Sequence, residues 1–248
     1  MNKLTAGIII IGNEILSGRT KDINANFIAK KLINIGIQLS AIQVIQDDHN
    51  EIINSVIKFS KKFTYVFTTG GIGPTHDDIT SESISKAFNK KWTINPRALK
   101  ILEEYYPKGE LNEGRKKMAT LPEDCELILN PLTGAPGFIL KNVYVLPGVP
   151  IIMQQMFNTI IANLKKGKPK KIITINTNIY ESVMAANLSK IQEKFIDSEI
   201  GSYPYFNFKK KKGGVNIVIS SWKKDDLSKV KEEIINMISL LGGKSYIV

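Results

Sequence analysis

The stretch Tyr65 to Thr80, YVFTTGGIGPTHDDIT, decides how the rest of the chain is read. An apolar, β-rich run ends in Gly70-Gly71, turns again through Gly73-Pro74, and delivers Asp77 and Asp78 just ahead of a helix opened by Thr80 or Ser81. Each part has a physical use. Glycines let backbone N–H groups approach an anion closely, a helix N-terminus adds partial positive charge, and carboxylates suit a hard divalent cation. The same residues also satisfy ordinary turn and helix-cap chemistry, in which no ligand is involved. A metal–phosphate site, with Thr69, Gly70, Gly71, Gly73, Pro74 and Thr75 around the phosphate and Asp77 and Asp78 beside the metal, is the sharper of the two readings.

Toward the N-terminus, Thr5 to Ile11 is nearly all apolar, as expected for a strand covered on both faces. It runs into Gly12-Asn13-Glu14 and on to Gly18 and Thr20. Asp22 then caps a helix whose Ile28, Leu32 and Ile35 share one face, and Gly36 ends it. Ile37 to Ile45 reads as a second strand, and Asp47 or Asp48 caps a helix carrying Ile52, Val56 and Phe59. With Tyr65 to Thr69 as the third strand, this βαβαβ order predicts a parallel sheet with right-handed crossovers. In such sheets ligands sit beyond the carboxyl ends of the strands, which gathers Gly12 to Thr20, Asp47 and Gly70 to Asp78 on one edge. No G-x-G-x-x-G follows the first strand, which argues against a dinucleotide-binding enzyme.

Toward the C-terminus, Pro96 opens a helix holding Leu99 and Leu102, and Asn112 to Ala119 forms a short helix containing Arg115. Strands are expected near Glu126 to Leu129, Phe138 to Leu140 and Val143 to Leu146. Pro147-Gly148-Val149-Pro150 then leads into a helix bearing Met153, Phe157, Ile160 and Leu164, either as a rigid turn or as a further source of anion-binding N–H groups. Lys165 to Lys171 reads as a linker. Beyond it the order βαββαβ fits a small ferredoxin-like or KH-like α+β domain.

The 248 residues carry a formal charge of +11, almost all of it from lysine spread over both halves. That distribution suits a solvated surface, and no specific nucleic-acid partner is expected; the run Lys209 to Lys212 reads as a solvated hairpin tip. Ile8 to Ile11 is too short to span a bilayer, so neither membrane association nor a signal peptide is expected, and a cytoplasmic location follows. The single Cys125 has no partner for a disulfide and no neighbours of metal-ligand spacing.

TTGGIGPTHDDIT resembles the signature loop of the molybdopterin-binding domain shared by molybdenum-cofactor biosynthesis proteins and by the N-terminal part of competence/damage-inducible protein A. GNEILSGRTKDINANFIAKKL is similar to that family's first loop, NEGRKKMATLP to its middle helix and LPGVP to its last loop. The resemblance implies an α/β, three-layer domain with a mostly parallel sheet over residues 1–166, followed by a small α+β domain over 171–248. It also implies ligand contacts at Gly12, Asn13, Glu14, Gly18, Thr20, Asn24, Arg115, Pro147 and Gly148. Family members often continue into a nicotinamide-nucleotide deamidase domain, for which 248 residues leave no room. Ile23 departs from the family's small hydroxyl residue, and Thr133-Gly134 inverts its usual Gly-Thr order.

Two activities are implied by the resemblance. One is metal-dependent cleavage of a nucleotide diphosphate such as ADP-ribose, with Asp78, Asp47 and Asp77 as catalytic groups and Asp78, Asp77, Asp47 and Glu14 holding Mg, Mn or Co. The other is binding of a molybdopterin or nucleotide phosphate, with or without adenylyl transfer. The expected partner is thus a small-molecule nucleotide or pterin phosphate, and a homo-oligomer is expected. The competence-type loops favour hydrolysis.

Overall fold

A computed structural model describes residues 3–207, 212–223 and 226–248, so Lys209, Lys210 and Lys211 of the lysine run lie outside the described residues. The chain divides into two units, Met1–Gly167 and Lys168–Val248. The first is built on β1 (Thr5–Ile11), whose alternation of side chains feeds two cores: Ile8 and Ile10 point into one, Ile9 and Ile11 into the other. After β1 come α1 (Asn13–Leu16), α2 (Asn24–Asn34), β2 (Gln38–Ile45), α3 (His49–Lys62), β3 (Tyr65–Thr69) and α4 (Thr80–Ala87). Then follow β4 (Trp92–Ile94), α5 (Pro96–Tyr105), α6 (Glu113–Lys117), β5 (Thr120–Pro122), β6 (Glu126–Ile128), β7 (Gly137–Leu140), β8 (Val143–Leu146) and α7 (Pro150–Ile160).

The sheet order is β2-β1-β3-β8-β7-β6. Its β2, β1, β3 and β8 ladders are parallel, whereas β7 and β6 continue it antiparallel. Ile28 and Leu32 of α2 and Met153 and Phe157 of α7 cover one face; Ile52, Val56 and Phe59 of α3 and Ile84 of α4 cover the other. This is the expected three-layer arrangement. Each fully buried Ile, Leu or Phe contributes about 1.5–3 kcal/mol relative to an exposed one, so the two faces together dominate the unit's stability.

The periodicity did not reveal a two-stranded antiparallel ribbon, β4 with β5. It is clamped by Trp92, whose Nε1 donates to the Thr120 carbonyl at 2.8 Å. The expected linker is also tied down at its start, where the Lys165 N–H donates to the Tyr65 hydroxyl at 3.0 Å and the Gly167 N–H to the Ile35 carbonyl at 2.9 Å.

The second unit runs β9 (Lys171–Thr177), α8 (Glu181–Lys194), β10 (Glu199–Asn207), β11 (Lys212–Ser221), α9 (Ser228–Leu240) and β12 (Ser245–Ile247). Its four strands are antiparallel in the order β10-β11-β9-β12, and Ile175, Ile217 and Ile219 pack under Met184, Leu188, Ile234 and Ile238 of the two helices. Of the two forms foreseen for the βαββαβ order, this is the ferredoxin-like one. Among the described residues no helix is long and apolar enough to cross a membrane.

Candidate functional site

The carboxyl ends of β1, β2, β3 and β8 open into a cavity of about 530 Å³. The loop after β3 forms its floor. Gly70 turns there with φ +105 and Gly71 with φ +67, and a Cβ on Gly70 would stand 2.1 Å from the Ile11 carbonyl oxygen. These two glycines are therefore required by the turn itself, and Gly71 has a further constraint. Its Cβ would meet the Thr80 hydroxyl at 2.2 Å, the same hydroxyl that donates to the Gly70 carbonyl at 3.0 Å. The turn leaves the N–H groups of Gly71, Ile72 and Gly73 without an acceptor among the described residues, along the cavity wall. Next to this turn, Gly148 and Val149 lead into α7, where Pro150 at the first helical position and Ile152 also line the cavity.

Glu14, Asp47, Asp77 and Asp78 all reach this cavity. Asp47 does not cap α3; that role falls to Asp48, whose carboxylate accepts from Asn50 and Glu51 N–H groups. Asp47 instead takes the Asn13 N–H at 2.8 Å, tying the loop after β2 to the loop after β1. Burial holds its carboxyl above the ordinary value; the Asn13 bond works against the rise, and the negative charges of Glu14, Asp77 and Asp78 add to it. Nor do Asp77 and Asp78 cap α4, whose N-cap residue is Ile79 and which has no side-chain cap. Both turn back to Thr75, whose hydroxyl lies 2.5 Å from Asp77 Oδ1 and 2.5 Å from Asp78 Oδ2, while the Thr75 N–H donates to Asp78 Oδ2 at 2.8 Å. The Thr75 hydroxyl bond is the main reason the Asp77 carboxyl sits below its ordinary value. One hydroxyl proton can serve only one of the two carboxylates.

Thr20, Pro74 and Pro147 also line the cavity, as expected. Asn24 and Thr69 lie in an adjoining recess of about 50 Å³ that shares Glu14, Thr20 and Gly148 with it. There the Asn24 Nδ2 donates to the Gly148 carbonyl at 2.7 Å, while Asn24 Oδ1 and Thr69 Oγ1 are buried without a hydrogen-bond partner.

Other expected contacts are not brought to the cavity. Gly12, Asn13 and Gly18 do not line it; Gly12 precedes α1 and Gly18 turns in open solvent with φ +71. Arg115 is diverted: its Nη1 donates to the Glu110 carbonyl at 2.5 Å and its guanidinium lies 4.1 Å from the centre of the Tyr106 ring. Of its neighbours, Met118 lines the wall and Lys117 Nζ donates to the Thr75 carbonyl. Among the described residues no three His, Cys, Asp or Glu side chains are gathered closely enough to hold a metal ion, so the expected quartet shares a cavity but not a ligand shell. Its donors are nonetheless hard oxygens, the type a divalent cation of the magnesium class takes.

One wall was not among the expected contacts, although its Thr133-Gly134 pair stood out as a departure from the family's order. Asn130, Thr133, Ala135 and Pro136 close the cavity from the loop before β7. Asn130 shapes this loop by accepting the Leu132 and Thr133 N–H groups at 3.0 and 3.2 Å and donating to the Ala135 carbonyl at 3.0 Å. The signal available was Asn-Pro-x-Thr-Gly, a turn sequence anchored by an Asn side chain. Cys125 is half-buried and outside the cavity, with its thiol pushed up to about 11 by desolvation, as befits an inert thiol.

Comparison with known proteins places these features in a family. Residues 7–166 match the model of a probable molybdopterin binding domain, and residues 172–241 match that of the FAD synthase middle domain. A protein of Archaeoglobus fulgidus is 39% identical over 232 residues, covering 92% of this chain and 97% of that protein. A putative competence-damage inducible protein of Clostridium botulinum is 36% identical over 211 residues, covering 81% of this chain; the match spans 51% of that longer protein. Among solved structures, CinA of Thermoplasma acidophilum, a protein of unknown function, is 35% identical with a TM-score of 0.62, covering 66% of this chain and 99% of that one.

Proposed function

The chain belongs to the probable molybdopterin-binding domain family, and from that premise we propose that the cavity binds the phosphate end of a pterin or nucleotide. The observation that carries this reading is the row of N–H groups at Gly71, Ile72 and Gly73, left without an acceptor among the described residues, on a cavity that the N-terminus of α7 also lines. Unpaired backbone donors beside a helix N-terminus form an anion site without any charged side chain. The cavity's size suits a ring system as well as a phosphate, since small-molecule sites of this kind run to about 300–1,000 Å³. The FAD synthase match in the second unit is consistent with a nucleotide ligand. Calorimetric titration with molybdopterin, AMP and ADP-ribose tests it. Saturable binding of at least one, lost in Gly148→Val, is the expected result; no binding of any of the three overturns it.

A second reading, metal-assisted cleavage of a phosphoanhydride, is favoured by one arrangement: the Thr75 hydroxyl set between Asp77 Oδ1 and Asp78 Oδ2, with Asp47 and Glu14 on the same cavity. Because the single hydroxyl proton can serve only one of the two carboxylates, acceptor capacity on hard oxygens is left over. A divalent cation held there would neutralise phosphate charge and lower the pKa of an attacking water. In this reading the unpaired N–H groups orient the phosphate and the cavity walls limit bulk water. Incubation with ADP-ribose, FAD or ATP and Mg²⁺, Mn²⁺ or Co²⁺ should release AMP, and Asp78→Asn and Asp47→Asn should abolish the release with the fold intact. Equal release by wild type and both variants would remove the reading.

A further inference from the structure

A sheet ends in two edges, and an unguarded edge is a template for another chain. In the six-stranded and four-stranded sheets the edge strands are β2, β6, β10 and β12. Two of them, β6 and β12, are three residues long, and β10 contains Glu199 and Pro204, a residue with no N–H to offer. Short length, charge and proline are the ordinary guards. β2 differs. Its eight residues, QLSAIQVI, contain no charge, no proline and no glycine.

A register shift in the β1–β2 ladder sets Ser40 aside as a bulge, with Ala6 opposite Leu39 and Gly7 opposite Ala41; from Ala41 to Ile45 the pairing is regular. The Ile45 carbonyl faces β1, where it accepts the Gly12 N–H at 3.2 Å. Successive residues of a strand direct their N–H and C=O groups to opposite sides, so Ile42 and Val44 present theirs outward. Their side chains are 51% and 37% exposed, and Leu16 of the neighbouring α1 is exposed beside them.

We propose that β2 pairs antiparallel with β2 of a second copy of this chain across a two-fold axis, joining the two sheets into one. The occupant follows from charge and symmetry. The chain carries a net +11, so two copies repel on approach, but the eight residues of this strand carry no charge and add no like-charge opposition of their own. The strand's own residues offer a charged peptide no counter-charge, whereas the strand complements itself. With Gln43 on the axis, Ile42 of each copy lies opposite Val44 of the other, the outward N–H and C=O groups of these residues pair, and the exposed side chains meet on one face.

The test uses the full chain. Sedimentation equilibrium at micromolar concentration should give a dimer, and Ile42→Lys/Val44→Lys should give a monomer with an unchanged circular dichroism spectrum, because both side chains already reach water. In the wild type, hydrogen exchange at the Ile42 and Val44 amides should slow as protein concentration rises. A wild-type monomer, a dimer that persists in the folded double variant, or a dimer whose Ile42 and Val44 amides exchange at a rate independent of concentration each overturns the proposal. If the double variant does not fold, the wild-type exchange result decides.

Discussion

Asp47 reaches from the end of β2 to the start of α1, where its Oδ2 takes the Asn13 N–H at 2.8 Å. The bond couples two post-strand loops and holds one carboxylate of the cavity half-buried among three others. Burial raises its pKa, so the folded protein resists ionising it. An acid whose folded pKa lies above its unfolded value costs stability once pH exceeds the unfolded value, here 3.8, and the cost is complete above the folded value.

Asp47→Asn should therefore melt higher than wild type at pH 7, because the amide oxygen can still accept the Asn13 N–H and carries no charge. The advantage should shrink as pH falls toward 3.8 and vanish below it. Melting curves across that range check the sign. A variant less stable at pH 7 would mean the Asn13 bond outweighs the burial cost.

Thr75→Ala removes the hydroxyl that lies against both Asp77 and Asp78. The Asp77 carboxyl should then titrate upward toward 3.8, and Thr75→Ser should leave it depressed. Carboxyl-carbon NMR titration reads this directly. If the serine variant behaves like the alanine one, the depression comes from another source.

The glycines should separate into two classes. Gly71→Ala introduces a Cβ 2.2 Å from the Thr80 hydroxyl at a φ of +67 and should cost about 1–3 kcal/mol of stability. Gly148→Ala places its Cβ 3.5 Å from the Gly70 Cα, an ordinary contact, and should stay within about 0.5 kcal/mol of wild type. Chemical denaturation measures both. Loss of ligand affinity per folded molecule in Gly148→Val, with its melting unchanged, would locate the ligand at that rim.

Asn24→Ala breaks the 2.7 Å bond that ties α2 to the Gly148 carbonyl. The expected cost is about 1 kcal/mol, the net worth of one intramolecular hydrogen bond. Faster exchange or greater mobility in residues 147–149 should accompany it, measurable by NMR.

Binding to single- or double-stranded nucleic acid should be weak, independent of sequence and steeply salt-dependent, as a dispersed lysine charge requires. Filter binding at physiological salt tests this. Micromolar or tighter affinity for one particular RNA or DNA, abolished by neutralising Lys209 to Lys212, would contradict it.

Much of the frame was legible in the residues themselves. The apolar run Ile8–Ile11, the boundaries Tyr65–Thr69 and Val143–Leu146, the Pro96 helix start and the Gly70-Gly71 turn are all set by short-range physics: side-chain alternation, a fixed proline φ and a positive φ only glycine tolerates well. Their order also placed the post-strand loops on one edge. What the sequence could not decide was which group would meet which across long separations. Arg115, set by its motif to face a ligand, was captured by Glu110 and the Tyr106 ring; Trp92 found Thr120; the Asn130–Pro136 loop swung in to wall the cavity; and β6 and β7 extended the sheet through antiparallel ladders. Propensity and periodicity act over a few residues, whereas each of these outcomes depends on the free energy of packing segments that become neighbours only once the chain has folded.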